Sequence, residues 1–378
     1  MYRNSPGEIR DAIIQTLQNR QGDASVKEIQ EAVAALLGRE VPASSVRSYL
    51  QLNTPRLFVR TARGRYRLAI DSSQLELIDD RSCDVFEFGK AKLVRADCFS
   101  WIASAPANSI HAIVTDPPYG LVEYSRIEQR KLRAGKGGVW RIPPAFDGHR
   151  RSPLPRFTTL TRDQVNELHA FFVRWAQAVM RVLVPGAHVV VASNPLVSYV
   201  VSDALARGGL ERRGEIIRLV MTMRGGDRPK NAHREFADVS VMPRSMWEPW
   251  VLFRKPLEGR VQDNLRKWKT GGLRRISAAQ PFGDVIRSSP TRKHERALAP
   301  HPSLKPQAFL RQVVRAVLPL GEGVVYDPFA GSGSTLAAAE AVGYASVGTE
   351  IDEEYFAIAK HAIPKLAALE IGESHRSR

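Results

Sequence analysis

Apolar residues along the chain follow two periodicities, set apart by proline and glycine. They divide it into a short helical segment and a long alternation of strands and helices. Between Pro6 and Ile70 the pattern predicts helices over residues 7–18, 25–37 and 43–51, then a hairpin of 57–60 and 65–68 about Arg63-Gly64. Ser25 and Glu28 have the spacing of a capping box, and Ala32, Val33, Leu36 and Leu37 continue an apolar face. Residues 70–87 read as an acidic linker. Beyond them lie short apolar runs at 92–96 and 110–114, and a long periodic stretch at 163–184 closed by Pro185-Gly186. Strands at 188–192, 215–221 and 250–255 and a helix at 196–207 follow. The last third alternates a helix at 305–318, a strand at 323–326, a helix from 336 to 342, a strand at 346–349 and a helix at 352–362 stopped near Pro364. Such alternation predicts an α/β fold: a mixed, mostly parallel, Rossmann-like sheet with helices on both faces. The aromatic stripe of 163–184 (Phe171, Phe172, Trp175) is expected in the core or at a dimer contact.

Two strand ends carry chemistry. Asp116-Pro117-Pro118-Tyr119 closes the run Ile110–Val114 and precedes Gly120. The carboxylate and a proline carbonyl can accept the hydrogens of an amino group on a flat ring while Tyr119 stacks on its face. A bland strand-ending turn is the rival reading. The second is Asp327-Pro328-Phe329-Ala330-Gly331-Ser332-Gly333-Ser334-Thr335, set between a strand and a helix. Its two glycines let a ligand approach the backbone, but it lacks the lysine of a phosphate loop and the third glycine of a dinucleotide fingerprint. Glu350 closes the next strand, followed by Ile351 and Asp352. An acid there suits a ribose diol, so a nucleoside without pyrophosphate fits best.

On these residues the chain resembles the β group of S-adenosylmethionine-dependent DNA amino-methyltransferases, which act on adenine N6 or cytosine N4. In that family the Asp-Pro-Pro-Tyr motif precedes the Phe-x-Gly-x-Gly motif, as Asp116 precedes Phe329 here. His301-Pro302-Ser303-Leu304-Lys305-Pro306 matches a third motif, whose helix flanks the methionine end of the cofactor. The matches span residues 90–365. The resemblance implies a methyltransferase sheet and S-adenosyl-L-methionine as cofactor, with Asp116, Pro117, Pro118 and Tyr119 catalytic. Cofactor contacts are expected from Asp97, Cys98, Asp116, His301, Ser303, Lys305, Asp327, Phe329, Ala330, Gly331, Ser332, Gly333, Ser334, Thr335, Glu350 and Ile351. Asp97 could equally cap the helix that follows it, and the two roles are compatible.

Charge fits a polyanionic partner. The 378 residues carry 55 basic and 39 acidic side chains, a net of +16. There is no long apolar run and no signal-like N-terminus, so a soluble, cytoplasmic protein without membrane contact is expected. Cys83 and Cys98 do not form a metal-spaced cluster, and no metal is expected. Residues 1–70 read as a winged helix-turn-helix with 11 basic and 6 acidic residues. Arg47 on its third helix and Arg60, Arg63, Arg65 and Arg67 on its wing are offered to DNA, with protein docking as the alternative. Residues 71–89 form the linker and 90–378 the catalytic domain. Within it, 121–160 holds 9 basic and 3 acidic residues and reads as a mobile segment closing on DNA, with Arg133 and Arg141 as contacts. Residues 222–300 hold 17 basic and 8 acidic residues and occupy the place of the target-recognition region. There Asn264, Arg266, Lys267, Trp268, Lys269, Arg274 and Arg275 are candidates for phosphate or base-edge contacts.

Together these expectations describe a site-specific methyltransferase acting on adenine N6 in double-stranded DNA, with base flipping and without a covalent intermediate. Cytosine N4 is the alternative substrate, and an aspartate rather than a serine at position 116 favours adenine. A non-catalytic DNA-binding regulator is the alternative from another class. A homodimer and a cognate restriction endonuclease are the expected protein partners.

Overall fold

The computed structural model describes residues 8–20, 23–52, 54, 58–62, 64–68, 84–118, 162–224, 229, 232, 234–241, 243, 245–299 and 304–371. The chain forms two compact units, Met1–Cys83 and Asp84–Arg378.

In the first unit, helices α1 (Glu8–Arg20), α2 (Val26–Leu37) and α3 (Ala43–Leu52) join a small antiparallel sheet. Its strands are β1 (Ala24–Ser25), β2 (Phe58–Ala62) and β3 (Arg65–Leu68), in the order β1-β3-β2. Ile9, Ile13 and Leu17 recur every fourth residue and therefore share one face, buried against Ile29, Val33, Leu50 and Phe58. The capping box of α2 is made in both directions: Ser25 Oγ accepts from the Glu28 amide at 3.3 Å, and Glu28 Oε2 accepts from the Ser25 amide at 2.7 Å. Gly38, at φ 63°, closes the helix in the left-handed conformation that glycine adopts without strain. Arg65, offered to DNA from sequence, instead donates from Nε and Nη2 to both carboxylate oxygens of Asp23, at 3.1 and 3.0 Å. Arg47, Arg60 and Arg67 are exposed.

In the second unit the described residues form a nine-stranded mixed sheet of β4 (Val85–Phe88), β5 (Ala91–Val94), β6 (Ile110–Thr115), β7 (Leu183–Ala192), β8 (Glu211–Arg224), β9 (Ser245–Arg254), β10 (Val285–Ser288), β11 (Val324–Asp327) and β12 (Ala345–Thr349). They lie in the order β10-β8-β9-β7-β6-β11-β12-β5-β4. β5, β12, β11, β6 and β7 are parallel neighbours, and β9 runs antiparallel between β7 and β8. Ala112, Val114 and Val190 pack with Phe309, Leu310 and Val313 of the helix Gln307–Val317, while the alternate residues Ile113, Val189 and Val191 are also fully buried. Successive strand residues point to opposite faces, so both faces of the central sheet are covered.

Four sequence expectations are corrected here. The stretch 71–89 is not all linker, because Val85–Phe88 pairs antiparallel with β5 as an edge strand. Pro185-Gly186 does not simply end the long helix Arg162–Val182; the chain enters β7 at once, and the proline falls where the pairing with β6 slips register and demands no amide. Residues 222–300, where the sequence pattern offers only the strand 250–255, also hold two helices, Val261–Trp268 and Lys293–Leu298, and the strand β10. Pro364 lies inside the helix Glu353–Ala367, where buried Ile363 and Leu366 hold the last turn against the core.

Candidate active site

The parallel strands deliver their carboxyl ends to one rim. Asp97 follows β5, Glu350 follows β12, Asp327 ends β11 and Asp116 follows β6. At a strand spacing of about 4.8 Å, these four acids line up over roughly 14 Å. The backbone fixes the row: the Glu350 amide donates to Val94 O at 3.0 Å and the Ala96 amide to Glu350 O at 3.1 Å. The glycine loop and the Asp-Pro-Pro turn are thereby side by side, since β11 pairs directly with β6.

The loop after β11 is built by its own hydrogen bonds. Asp327 Oδ1 accepts from the Phe329 amide at 3.1 Å, and Glu350 Oε2 accepts from the Gly331 amide at 2.7 Å. Gly333 takes φ 77° as N-cap of the helix Ser334–Ala341, and a Cβ there would lie 2.7 Å from Ile363 Cδ1. Burial pushes the carboxyl of Glu350 up, against the amides of Asp352 and Gly331 that stabilise its charge. Asp97 caps the helix Cys98–Ser104, its Oδ1 accepting from the Phe99 and Ser100 amides at 3.1 Å. Cys98 is buried beside it, and burial together with the charge of Asp97 pushes its thiol up to about 12. Such a thiol stays protonated and serves as a small apolar wall.

Phe329 stands 6.1 Å from the Phe171 ring and 6.2 Å from that of Trp175, while Phe171 packs edge-on to Phe99 at 5.7 Å. The aromatic stripe of the long helix is thus partly core and partly the wall that backs the glycine loop. Its signal in sequence was only helical spacing, which does not distinguish a core stripe from a site wall. Ser332, Ser334 and Thr335 are buried at the start of the helix, Ala330 is buried in the loop, and Ile351 is exposed at the rim.

Asp116 is mostly buried, and its Oδ2 lies 3.0 Å from Lys305 Nζ. Lys305, expected at the cofactor, is held by carboxylates: Glu248 Oε1 accepts from the same ammonium at 2.6 Å. Arg218, opposite Glu248 in the β8–β9 pairing, donates to Glu248 Oε2 at 2.8 Å. Sequence reading missed Glu248 and Arg218. An acid within the apolar strand segment Trp247-Glu248-Pro249-Trp250 was the available signal. Burial opposes the charge of Glu248, but Lys305 and Arg218 outweigh it and hold the carboxyl below the usual range.

The candidates Arg266, Lys267, Trp268 and Lys269 are not brought to this rim. Asn264 in their helix is fully buried, donating to Pro185 O and Thr270 O at 2.9 Å, and so pins the helix near the start of β7. Pro185 lies six residues before Val191, which pairs with Thr115, so the helix sits roughly 20 Å along the strand from the Asp116 turn. Trp268 Nε1 donates to Glu258 at 2.7 Å, and Lys267 pairs with the same carboxylate. Arg274 donates to Tyr344 Oη at 2.5 Å and Arg275 is exposed nearby, both also at the amino ends of the strands. What does extend past the carboxyl rim is the β8–β9 ribbon, whose pairing continues from Arg218–Glu248 to Arg224–Ser245, with Met246 and Trp247 exposed. Tyr119, His301, Ser303, Arg63, Arg133, Arg141 and the whole stretch 121–160 lie outside the described residues.

Residues 110–361, two thirds of the chain, match the DNA methylase family of N6 and N4 methyltransferases. The chain belongs to that family. The methylase is 23% identical over 273 residues to the type II methyltransferase M2.DpnII of Streptococcus pneumoniae, covering 72% of this chain and 88% of the relative. It is 24% identical over 294 residues to the type II methyltransferase M.HindIII of Haemophilus influenzae, covering 71% and 93%. Among solved structures, a putative DNA modification methylase of Thermus thermophilus complexed with S-adenosyl-L-methionine is 18% identical, with a TM-score of 0.46, covering 74% of this chain and 95% of that one. The methyl donor of the methylase is S-adenosyl-L-methionine, and its substrate is DNA. The residues present fit that donor: an aromatic wall, a glycine loop too tight for a side chain at Gly333, and buried acids whose oxygens keep acceptor capacity beyond the amides they bind. Among the described residues no cluster that could hold a metal ion is found, and no helix is long and apolar enough to cross a membrane.

Proposed function

We propose that the methylase modifies adenine at N6 within a short sequence of double-stranded DNA, with the target nucleotide rotated out of the duplex. The observation that carries this reading is the setting of Asp116: a largely buried carboxylate at the rim, beside the glycine loop and held by Lys305. An exocyclic amine is a weak nucleophile because its lone pair is delocalised into the ring. Acceptance of its two hydrogens by Asp116 and the Pro117 carbonyl favours a pyramidal nitrogen, and Tyr119 holds the ring by stacking. When bound, S-adenosyl-L-methionine supplies the electrophilic methyl group. Glu350 takes the ribose hydroxyls and Asp97 the adenine amino group, while Phe329, Cys98 and Ile351 line the ring. Rate then comes from position and charge rather than from a covalent intermediate. Aspartate at 116 favours adenine, and cytosine N4 is the second reading because the same clamp suits both amines.

DNA contact is assigned to the β8–β9 ribbon beyond the rim and to the first unit, read as a winged helix presenting Arg47, Arg60 and Arg67. A homodimer in the cytoplasm is inferred from the family resemblance. A cognate restriction endonuclease is inferred from relatives named as type II methyltransferases. The test is modified-base sequencing of DNA from a methylation-free host expressing the wild type or Asp116→Ala. N6-methyladenine at one motif with the wild type alone supports the reading, N4-methylcytosine selects the second, and an unmodified genome with folded, cofactor-binding protein overturns both.

A further inference from the structure

Four side chains from four segments form a row of alternating charge behind the catalytic turn: Asp116, Lys305, Glu248 and Arg218, with contacts of 3.0, 2.6 and 2.8 Å. Their side chains are 16%, 12%, 15% and 3% exposed. Arg218 is fixed in turn, donating to Ser288 Oγ and Ser289 O at 3.1 Å and lying over the Phe309 ring. A buried row of this kind adds little to stability over apolar packing, so its presence calls for another account. Its geometry gives one. Lys305 precedes the helix Gln307–Val317 by two residues, and its shorter contact is to Glu248, so the strand residue holds the ammonium and the ammonium meets Asp116.

We propose that Glu248 is a positioning residue for methyl transfer, clamping Lys305 against Asp116 so that the carboxylate keeps one orientation toward the target amine. This rests on the reading of Asp116 as the amine acceptor. The charged groups that bear on Lys305 are Asp116 after β6, Glu248 on β9 and Arg218 on β8. Glu295 of the neighbouring helix is occupied by the amides of Arg292 and Gln307. Burial disfavours the charge of Lys305, and the two carboxylates restore it while Arg218 opposes it. Neutralising Glu248 therefore lets Lys305 deprotonate at lower pH, and the Asp116 contact goes with it.

The test is single-turnover methyl transfer to DNA by the full-length enzyme, wild type against Glu248→Gln and Glu248→Asp, with cofactor and DNA saturating. Cofactor and DNA Kd values are measured separately. Expected for Glu248→Gln are a rate at least 10-fold lower, both Kd values within 3-fold of wild type, and an alkaline limb of the pH profile moved at least one unit down. Glu248→Asp, which keeps the charge, restores the limb and part of the rate. Should Glu248→Gln not fold, Glu248→Asp and Lys305→Met give the reading: the aspartate variant keeps the wild-type limb with a reduced rate, and Lys305→Met removes the limb. A wild-type rate and limb in the Glu248 variants, or a loss carried wholly by cofactor Kd, overturns the proposal. A wild type that transfers no methyl group to DNA overturns the underlying reading instead.

Discussion

Thr115 Oγ1 donates a 2.7 Å hydrogen bond to Asp327 Oδ1, tying the residue before Asp116 to the residue that opens the glycine loop. The bond crosses the two central strands, so the two motifs share one rigid joint. Burial pushes Asp327 from its ordinary 3.8 up to about 6, more strongly than Thr115 and its other hydrogen-bond donors lower it, and Asp116 adds to the rise. A carboxyl with a raised folded-state pKa stabilises the fold while protonated, and that contribution is lost as pH rises from about 4 to 6. At 1.36 kcal/mol per unit the loss is roughly 3 kcal/mol at most. Asp327→Asn can still accept from Thr115 and Phe329, so unfolding in urea at pH 4.5 and 7.5 is expected to show a smaller fall with pH than wild type. An equal fall in both proteins would mean that the carboxyl is ionised throughout.

Gly333 is required for two separable reasons. Its φ of 77° strains any residue with a Cβ, and that Cβ would press on Ile363, which is fully buried and cannot yield. Gly343 shares the positive φ, at 82°, but a Cβ there meets nothing within 4 Å. Backbone strain alone therefore predicts a loss of about 1 kcal/mol for Gly343→Ala. Gly333→Ala adds overpacking, for about 2 to 4 kcal/mol in all. Chemical denaturation of both variants checks the difference, and equal losses would show that packing against Ile363 is soft.

The central sheet and the glycine loop were legible because their residues carry local signals: apolar runs, prolines and glycines at strand ends, and an acid at the end of four of the parallel strands. Glu248 and Lys305 were not paired in that reading because 57 residues separate them, and only the packing of the helix Gln307–Val317 on the sheet, with Phe309 against Trp250, brings them together. Likewise Asn264 read as a polar group for DNA. Its amide instead donates to two backbone carbonyls and its oxygen accepts from the Glu258 amide at 3.0 Å, which is the work of a buried clamp. Residue type alone does not say which end of the sheet such a segment occupies, since a basic, tryptophan-containing segment looks the same at either end; the structure places this one near the start of β7.

That relocation is testable. Arg266 and Lys267 sit on the helix anchored to the start of β7, so alanine at both is expected to change DNA Kd by less than about 2-fold, and the salt slope by less than one contact's worth. Asn264→Ala leaves Pro185 O and the Glu258 amide without that partner in a buried site and is expected to cost about 2 to 3 kcal/mol. Fluorescence anisotropy and urea unfolding separate the two effects. A strong loss of DNA affinity in the double alanine variant would place DNA on the amino rim as well.

The first unit offers the last comparison. Its folded core is complete in itself, with Ile9, Ile13, Ile29, Val33, Val46, Leu50 and Phe58 all buried, so removing residues 1–83 should leave the sheet intact. Arg65 is spent on Asp23, whose carboxyl its hydrogen bonds, with that of Thr61, hold down at about 2, whereas Arg47, Arg60 and Arg67 are exposed. If those three arginines meet phosphates, the triple alanine variant weakens DNA binding for every sequence alike and lowers the slope of log K against log salt by about 2 to 3. Arg65→Ala, by contrast, loosens the hairpin without a direct phosphate loss and changes the slope by less than one. An unchanged slope in the triple variant would assign the unit to protein docking. In that case deletion of residues 1–83 would leave methyl transfer to naked DNA at the wild-type rate.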